Sequence, residues 1–357
     1  MTITARRLFA FGILAVLAVV GAVLLASQRA TPARSQSDLL YPALKTEADS
    51  VATIRIFRAG DQRALEIVRD GERWSLTERD GYPVAAAKVR NLVRALANAK
   101  VLEEKTSDPE KYAALSVEDV SNQDAQGVRI EIAGPKTPID LIVGKAGPGG
   151  KSNYVRRIGE RQSWLVGEQL SASPETRDWL DQDLINVSAD RIQAANITTA
   201  GQKPYSASKT SRADAKFKIT PLPKGKELNG PSAANAVATA LSHLTLDDVR
   251  SKPTIATGKP TDRATYKTFD GLVVQIDGYA QEEQRYVVLT TAFDPALAEQ
   301  FRVATATDEK TVAAPQTQST VESEARDTAA KLAPWAYEIP RYKYDAIFQP
   351  LAGMLKN

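Results

Sequence analysis

Pro83-Val84-Ala85-Ala86-Ala87-Lys88-Val89-Arg90-Asn91-Leu92-Val93-Arg94-Ala95-Leu96 is the stretch from which the fold is read, because its pattern occurs twice. Val89, Leu92, Val93 and Leu96 stand at i, i+3, i+4 and i+7, one apolar face of a helix. A proline before the first turn suits a helix start. Pro231, Val237, Ala240, Leu241 and Leu244 repeat the five positions at a constant offset of 148 residues. The chain therefore reads as two copies of one unit, each built around such a helix.

The strands around each helix follow the same order. Ile54, Ile56 and then Ala64, Glu66, Val68 flank Gly60-Asp61, and Trp74–Thr77 follows Asp70-Gly71, a hairpin signal. Beyond the Pro83 helix come Val128–Ile132, Ile139–Val143, Tyr154–Ile158 and Ser163–Val166, with a short closing helix expected over Pro174–Leu184. In the second copy, Ile192–Ile197 and Phe217–Thr220 precede the Pro231 helix. Tyr266–Phe269, Leu272–Ile276 and Tyr286–Thr290 follow it, and Asp294-Pro295 opens a helix through Phe301. Period-2 strands with a period-3.6 helix in each copy predict an α+β fold of antiparallel sheet plus covering helix.

Leu8–Ala26 is a charge-free run of 19 residues preceded by Arg6 and Arg7. At helical rise it spans about 30 Å, the thickness of a bilayer core. It predicts a single transmembrane helix with a cytoplasmic N-terminus and an exported body, hence a bacterial inner-membrane, single-span localisation. A cleaved signal peptide is the competing reading, although signal cores run shorter. The expected organisation is then an anchor at 1–26, a linker at 27–45, a first unit at 46–184 and a second at 185–304. A polar tether or solvated helix follows at 305–334, then an apolar tail at 335–357.

Composition excludes several chemistries. The 357 residues include no cysteine and one histidine, His243, which removes thiol catalysis, cysteine-based metal sites and multi-histidine sites. The net charge of +3 offers no footprint for nucleic acid. Gly144-Lys145-Ala146-Gly147-Pro148-Gly149-Gly150-Lys151-Ser152 is similar to a phosphate-binding loop, but its glycines stand one residue too far apart. A strand pattern rather than a helix follows it, so a hairpin loop is expected and no nucleotide. His243 reads as a helix-end histidine near the C-terminal dipole. Asp178, Asp181 and Asp183 read as solvated charges without the spacing of a calcium loop. Trp74 and Trp164 fall in strands and read as core. No catalytic residue, cofactor or metal ligand is expected.

The tail is the candidate partner interface. Trp335, Tyr337, Tyr344, Phe348 and Leu351 are an aromatic, apolar set that must be covered, by the chain's own body or by a partner. Tyr344, Ile347, Phe348, Leu351 and Leu355 keep near-helical spacing, and Pro350 should kink that helix or divide it at Phe348–Gln349.

Three features together resemble a bacterial family of unknown function encoded beside gliding-motility-type ABC transporter components. They are the N-terminal run, the order Trp74 then Pro83 helix, and Tyr112–Leu115 leading into strands that end in Gly144 and then Tyr154-Val155-Arg156. Tyr112-Ala113-Ala114-Leu115 departs from that family's usual Tyr-Gly-Leu step. The resemblance implies a non-enzymatic accessory or binding subunit of an envelope ABC-type transport system, with a transporter permease as partner. A binder of cell-wall or envelope polymer in a cleft between the units is the alternative, and a hydrolase the second alternative.

Overall fold

The structure is a computed structural model that describes residues 39–230, 232–281, 284–305 and 317–356. Its first strands are β1 Thr53–Arg58, β2 Gln62–Asp70, β3 Arg73–Leu76, β4 Tyr82–Pro83, β5 Val101–Glu104, β6 Val128–Ala133, β7 Ile139–Ala146, β8 Asn153–Arg157 and β9 Ser163–Val166. Among the described residues they form one antiparallel sheet in the order β4-β3-β2-β1-β6-β7-β8-β9-β5. The later strands are β10 Asp183–Ile185, β11 Ile192–Thr198, β12 Tyr205–Ser208, β13 Lys218–Thr220, β14 Leu244–Thr245, β15 Asp248–Ser251, β16 Asp262–Thr268, β17 Leu272–Gln281, β18 Gln284–Phe293 and β19 Trp335–Glu338. Eight of these form a second sheet, β13-β12-β11-β16-β17-β18-β19-β15. Read from β3 and from β13, the two orders match strand for strand, and β4 is the first sheet's extra member.

Each sheet buries one face along its length and part of the other, where smaller clusters around Ile142 and around Tyr286 and Val288 lie. In the first, Ile54, Ile56, Leu65, Ile67, Ile130, Ile132, Leu141 and Val155 are almost fully buried. They pack in one core with Val89, Leu92, Val93 and Leu96 of the Ala86–Asn98 helix. The solvated face carries a ladder of paired charges across neighbouring strands. Arg55 meets Glu66 at 2.6 Å, and Arg129 meets Asp140 at 2.7 Å and also Glu131. Opposite charges on adjacent strands are the polar counterpart of the buried rows. In β2 the buried residues are Leu65 and Ile67, the parity opposite to Ala64, Glu66 and Val68. The left-handed Gly60 and Asp61 turn and a bulge after Ile56 shift the register.

The second helix is shorter than its spacing predicts. It covers Ala233–Thr239, and Pro231 lies outside the described residues. The chain leaves the helix through His243 at φ 49°, whose N–H donates to Asn186 Oδ1 at 2.9 Å. The Lys343 ammonium donates to the Ala240 and Ser242 carbonyls, satisfying groups that a longer helix would have used internally. Val237, Ala240, Leu241 and Leu244 are buried all the same. The Pro174–Leu184 segment is a 3-10 turn, Thr176–Asp178, followed by β10, not a closing helix. Trp179, Leu180 and Leu184 still enter the core.

The apolar tail is part of the second sheet. β19 lies between β18 and β15, pairing Val249 with Tyr337 and Val287 with Tyr337 on its two sides. The helix Arg341–Ile347 then runs over β17, and it ends before Pro350 as expected. Gly278 permits this close approach, because a Cβ there would stand 2.6 Å from the Tyr344 hydroxyl. Part of the Thr305–Ala330 stretch is the helix Gln318–Leu332, whose Val321, Ala325 and Leu332 are buried, while residues 306–316 lie outside the described ones. Arg191 clamps this helix, donating to both Glu324 carboxylate oxygens at 3.0 Å and to Asp270 at 3.0 Å.

The fold class and localisation need correction. Among the described residues no helix is long and apolar enough to cross a membrane. The Leu8–Ala26 run lies outside the described residues. Among the described residues the architecture is therefore two large antiparallel sheets and the small β10–β14 pair, with a few helices. The α+β fold class with an N-terminal transmembrane helix, and the single-span inner-membrane localisation built on it, are set aside. Within the stretch read as linker, Leu40 and Leu44 belong to the core.

The two units meet in a continuous seam. β10 pairs with β14, Asp183 opposite Thr245. Tyr82 of the first sheet packs edge-on against Trp335 and Tyr337 of the second, ring centroids 5.1 and 6.2 Å apart. Arg79 reaches Asp248, and Arg177 reaches Asp247 at 2.6 Å. Burial, with the charges of Asp248 and Asp247 added, raises the Glu338 carboxyl above its ordinary value.

Leu96→Ala and Leu241→Ala, both at 0% exposed positions, should each cost about 2–5 kcal/mol in chemical unfolding. Glu338 yields a second expectation. Its raised folded value means that the ionised form weakens the fold, and that protonation relieves this as pH falls. Glu338→Gln should raise the melting temperature at neutral pH, and the gain should shrink on acidification. Equal melting curves at all pH values would contradict it.

Candidate functional site

Buried polar atoms without a hydrogen bond include groups of Tyr41, Glu118 and Arg157 around β8 and the Tyr337 hydroxyl in β19. Strand alternation sends Tyr154 and Arg156 to one face of the sheet and Val155 and Arg157 to the other. Glu160, in the turn after the strand, borders hollows on both faces.

Arg156 is 3% exposed, and its guanidinium is spent on the protein. Nε donates to the Val117 carbonyl at 2.8 Å, Nη1 to the Glu160 carbonyl at 3.1 Å, and Nη2 to Asp119. Its Cζ lies 4.6 Å from the Tyr112 ring centre, and the Tyr112 hydroxyl donates to the Arg161 carbonyl. Tyr112, Val117 and Ile142 form a small core of their own beneath this loop. Gly144 completes the fit, since a Cβ there would come within 2.3 Å of the Leu115 carbonyl oxygen. The Tyr112, Gly144, Tyr154 and Arg156 positions thus serve one task, fastening the loop before β6 onto the sheet, while Val155 points into the main core. A polar hollow of about 460 Å³ beside them is lined by Glu118, Asp119, Asn122 and Arg161.

Arg157 is different. Its Cζ lies between two rings, 5.4 Å from Tyr41 and 5.0 Å from Trp164. Nη2 donates to the Leu40 carbonyl at 2.7 Å, and Nη1 meets Glu160 at 3.4 Å. Nε is buried and makes no hydrogen bond, and the same holds for the Tyr41 hydroxyl. Burial pushes the Tyr41 phenol well above its ordinary value, against the opposing effect of the adjacent Arg157 charge. The hydroxyl therefore stays protonated at neutral pH, a donor without an acceptor.

The residues Tyr41 and Arg157 border a hollow of about 430 Å³, although these two polar atoms are themselves occluded. One wall is the segment Leu40–Leu44, where Tyr41-Pro42 restricts the chain before the short helix Leu44–Glu47. The other wall is the β6–β7 turn with Pro135 and Pro138, then Ile139 and Ile158. Glu47 joins the walls by accepting the Lys136 N–H at 3.0 Å. Gly134, at φ 119°, lies where a Cβ would stand 2.0 Å from the Ser50 carbonyl oxygen. A mostly apolar hollow with a few convergent polar groups has the character of a ligand site.

The residues singled out in the sequence are placed elsewhere. Tyr337, Tyr344, Phe348 and Leu351 are buried in the chain's own body, and Trp335 is half-buried at the seam. They fall into two groups: Trp335 and Tyr337 against Tyr82, and Tyr344 tilted against Phe348 with centroids 4.6 Å apart. Asp178 accepts from Ser173, while Asp181 and the Asp183 carbonyl hold Lys331, so these aspartates do not converge on one point. Gly144–Ser152 joins the antiparallel strands β7 and β8 as a hairpin. No group of three or more His, Cys, Asp or Glu among the described residues could hold a metal ion. Tyr41 and Arg157 are not found from the sequence, although Leu40 and Leu44, four residues apart, signal a buried segment where a linker was expected.

Removing a clamp and removing an idle hydroxyl should differ sharply. Arg156→Ala strands the Val117 and Glu160 carbonyls and should cost about 2–4 kcal/mol in unfolding free energy. Tyr41→Phe should stay within about 0.5 kcal/mol of the parent. A large loss in Tyr41→Phe would show that its hydroxyl is bonded after all.

Comparison with known proteins bears on the family. Neither the curated proteins nor the solved structures give a match. The family described as "Domain of unknown function (DUF4340)" matches residues 74–268, from β3 of the first sheet through β16 of the second. That span is more than half of the chain, and the protein therefore belongs to the DUF4340 family.

Proposed function

We propose that this protein is a non-enzymatic binding subunit of an envelope ABC-type transport system. The observation that carries the binding role is the hollow between Leu40–Leu44 and the β6–β7 turn, bordered by Tyr41, Arg157 and Glu160. The transport context rests on the resemblance carried by Trp74, the Pro83 helix, Gly144 and Tyr154-Val155-Arg156. A transporter permease is the partner this context implies.

The alternatives draw less support. A polymer binder using a cleft between the units would need open space at the seam, where Tyr82, Trp335 and Tyr337 pack against one another. A hydrolase would need free carboxylates in reach of each other. Glu338, Asp248 and Asp247 stand together, but Asp248 and Asp247 are engaged by Arg79 and Arg177, and Glu338 accepts from Gln284.

The test is gentle detergent extraction of the tagged full chain from its native host, with its partners identified by mass spectrometry. Recovery of an ABC permease in constant ratio is the expected result. Isolation as a lone monomer, together with unchanged transport and growth on deletion, would refute the reading.

A further inference from the structure

A strongly basic stretch lies on the second sheet. Residues 199–226 carry seven basic side chains and one acidic, in a chain whose net charge is +3. Lys209 and Arg212 are spent on the protein, over the rings of Phe217 and Phe269. Lys203, Lys216, Lys218, Lys224 and Lys226 are exposed, and none has an ion-pair partner among the described residues. Asp214 accepts from the Thr210 and Ser211 N–H groups in the turn before β13, where the charge bearing on it is that of Lys218. Lys203, Lys224 and Lys226 are left without such an offset.

These three gather at one end of the sheet. Beyond β13 the chain makes an exposed loop, Pro221-Leu222-Pro223-Lys224-Gly225-Lys226. Its base is fastened on both sides. β13 pairs with β12, and after the loop the Lys356 N–H donates to the Glu227 carbonyl and the Asn229 N–H to the Met354 carbonyl, both at 2.8 Å. The tip is a tight turn, with the Lys226 N–H donating to the Pro223 carbonyl at 3.1 Å and Gly225 at φ 79°. Thr220 pairs with Ser206, which sets Lys203 at the same end as the loop. Leu222, between two prolines that restrict the chain, is 43% exposed. A lone exposed leucine is ordinary, and lysines on an edge strand guard it against pairing. Edge protection accounts for Lys218. It does not account for Lys224 and Lys226, which follow the strand, with an apolar residue beside them.

The carboxylates at this end do not cancel the patch. Glu227 pairs with Lys356 at 2.6 Å. Asp262, three strands from β13, accepts from the Ala200 N–H and the Tyr344 hydroxyl. Glu282 and Glu283 lie outside the described residues, in the link between β17 and β18. β17 is four strands from β13, about 19 Å across the sheet, which exceeds the screening length at physiological salt. An anionic polymer would meet the lysines but leave Leu222 in water. A bilayer with anionic headgroups offers phosphates to the lysines and, within about 5–10 Å, an apolar boundary to the leucine. We propose that the Pro221–Lys226 loop docks on the surface of an anionic phospholipid bilayer. Leu222 enters the boundary between headgroups and acyl chains, and Lys203, Lys224 and Lys226 meet lipid phosphates. This is a peripheral contact and not a span. It goes beyond the transport reading and does not need a permease.

The chain has no cysteine, so Leu222→Cys is a unique site for an apolar, environment-sensitive fluorophore. The labelled full chain is mixed with vesicles of about 30% phosphatidylglycerol in phosphatidylcholine, or of phosphatidylcholine alone. On the anionic vesicles the emission should shift to the blue and be quenched by nitroxide-labelled lipid, and about 0.5 M salt should reverse both effects. On the neutral vesicles the label should stay in water. Lys224→Ala/Lys226→Ala should lower the ratio of docked to free label about 25-fold. The same label at Glu110→Cys, beyond β5 at the outer edge of the first sheet, should stay in water. Attachment through another part of the chain is thereby told apart from docking of the loop. The proposal is overturned by a label at residue 222 that stays in water on anionic vesicles, or by an equal shift on neutral ones. An equal shift at residue 110, or an undiminished one in the double lysine variant, overturns it too. A shift with polyglutamate and none with vesicles would also sink it, assigning the loop to an acidic protein.

Discussion

In both halves of this protein, the edge strand of the large sheet that comes after the covering helix, β5 in the first and β15 in the second, does not pair with any strand before it. β5 comes after the Ala86–Asn98 helix and pairs only with β9, the last strand of the meander. β15 follows the Ala233–Thr239 helix and pairs only with β19. Each helix is thus held against its sheet by a chain segment that is fastened only when the meander ends. Unpaired backbone groups at a half-buried position would be costly, so the closing strand is an obligatory part of each unit. This explains why Trp335–Glu338, far along the chain, is as buried as any central strand.

The same constraint separates two kinds of side chain along β8. Arg156 meets a loop that must be fastened, and all its donors are used. Arg157 meets a segment that merely rests on the end of the core, and one of its donors is left over. The distinction arises from strand alternation and from what lies over each face, since the two residues are chemically identical. Resemblance at the motif level therefore points first to scaffolding. The group with spare hydrogen-bonding capacity is the neighbouring one.

Much of the architecture was legible because its signals are local. Val89, Leu92, Val93 and Leu96 announce a helix within a few turns, and Gly60-Asp61 and Asp70-Gly71 announce hairpins within a few residues. The copied order of strands could be read for the same reason. What failed depends on distant partners. Trp335-Ala336-Tyr337-Glu338 is too short for a period-2 signal to stand out, and its partners Val249 and Val287 lie far back in the chain. The second helix stops early because of Asn186 and Lys343, neither of which its own sequence reveals. The cavity was illegible for the same cause: Tyr41 precedes the first strand and Arg157 ends β8, so they meet only in the folded chain.

The late position of β19 also sets an order of assembly during synthesis. The first sheet possesses all its strands once residue 166 has emerged, whereas the second lacks β19 until residue 338. At ribosomal speeds of about 5–20 residues per second, the interval is on the order of ten to thirty seconds. Within it, β15 has no neighbour from residue 251 onward and β18 presents an open edge from residue 293 onward, a surface prone to pairing with other chains. The finished first half, with Tyr82 already in place beside the seam, is the nearest surface on which the waiting half can be sheltered. Duplication here yields two units of the same design that nonetheless mature one after the other.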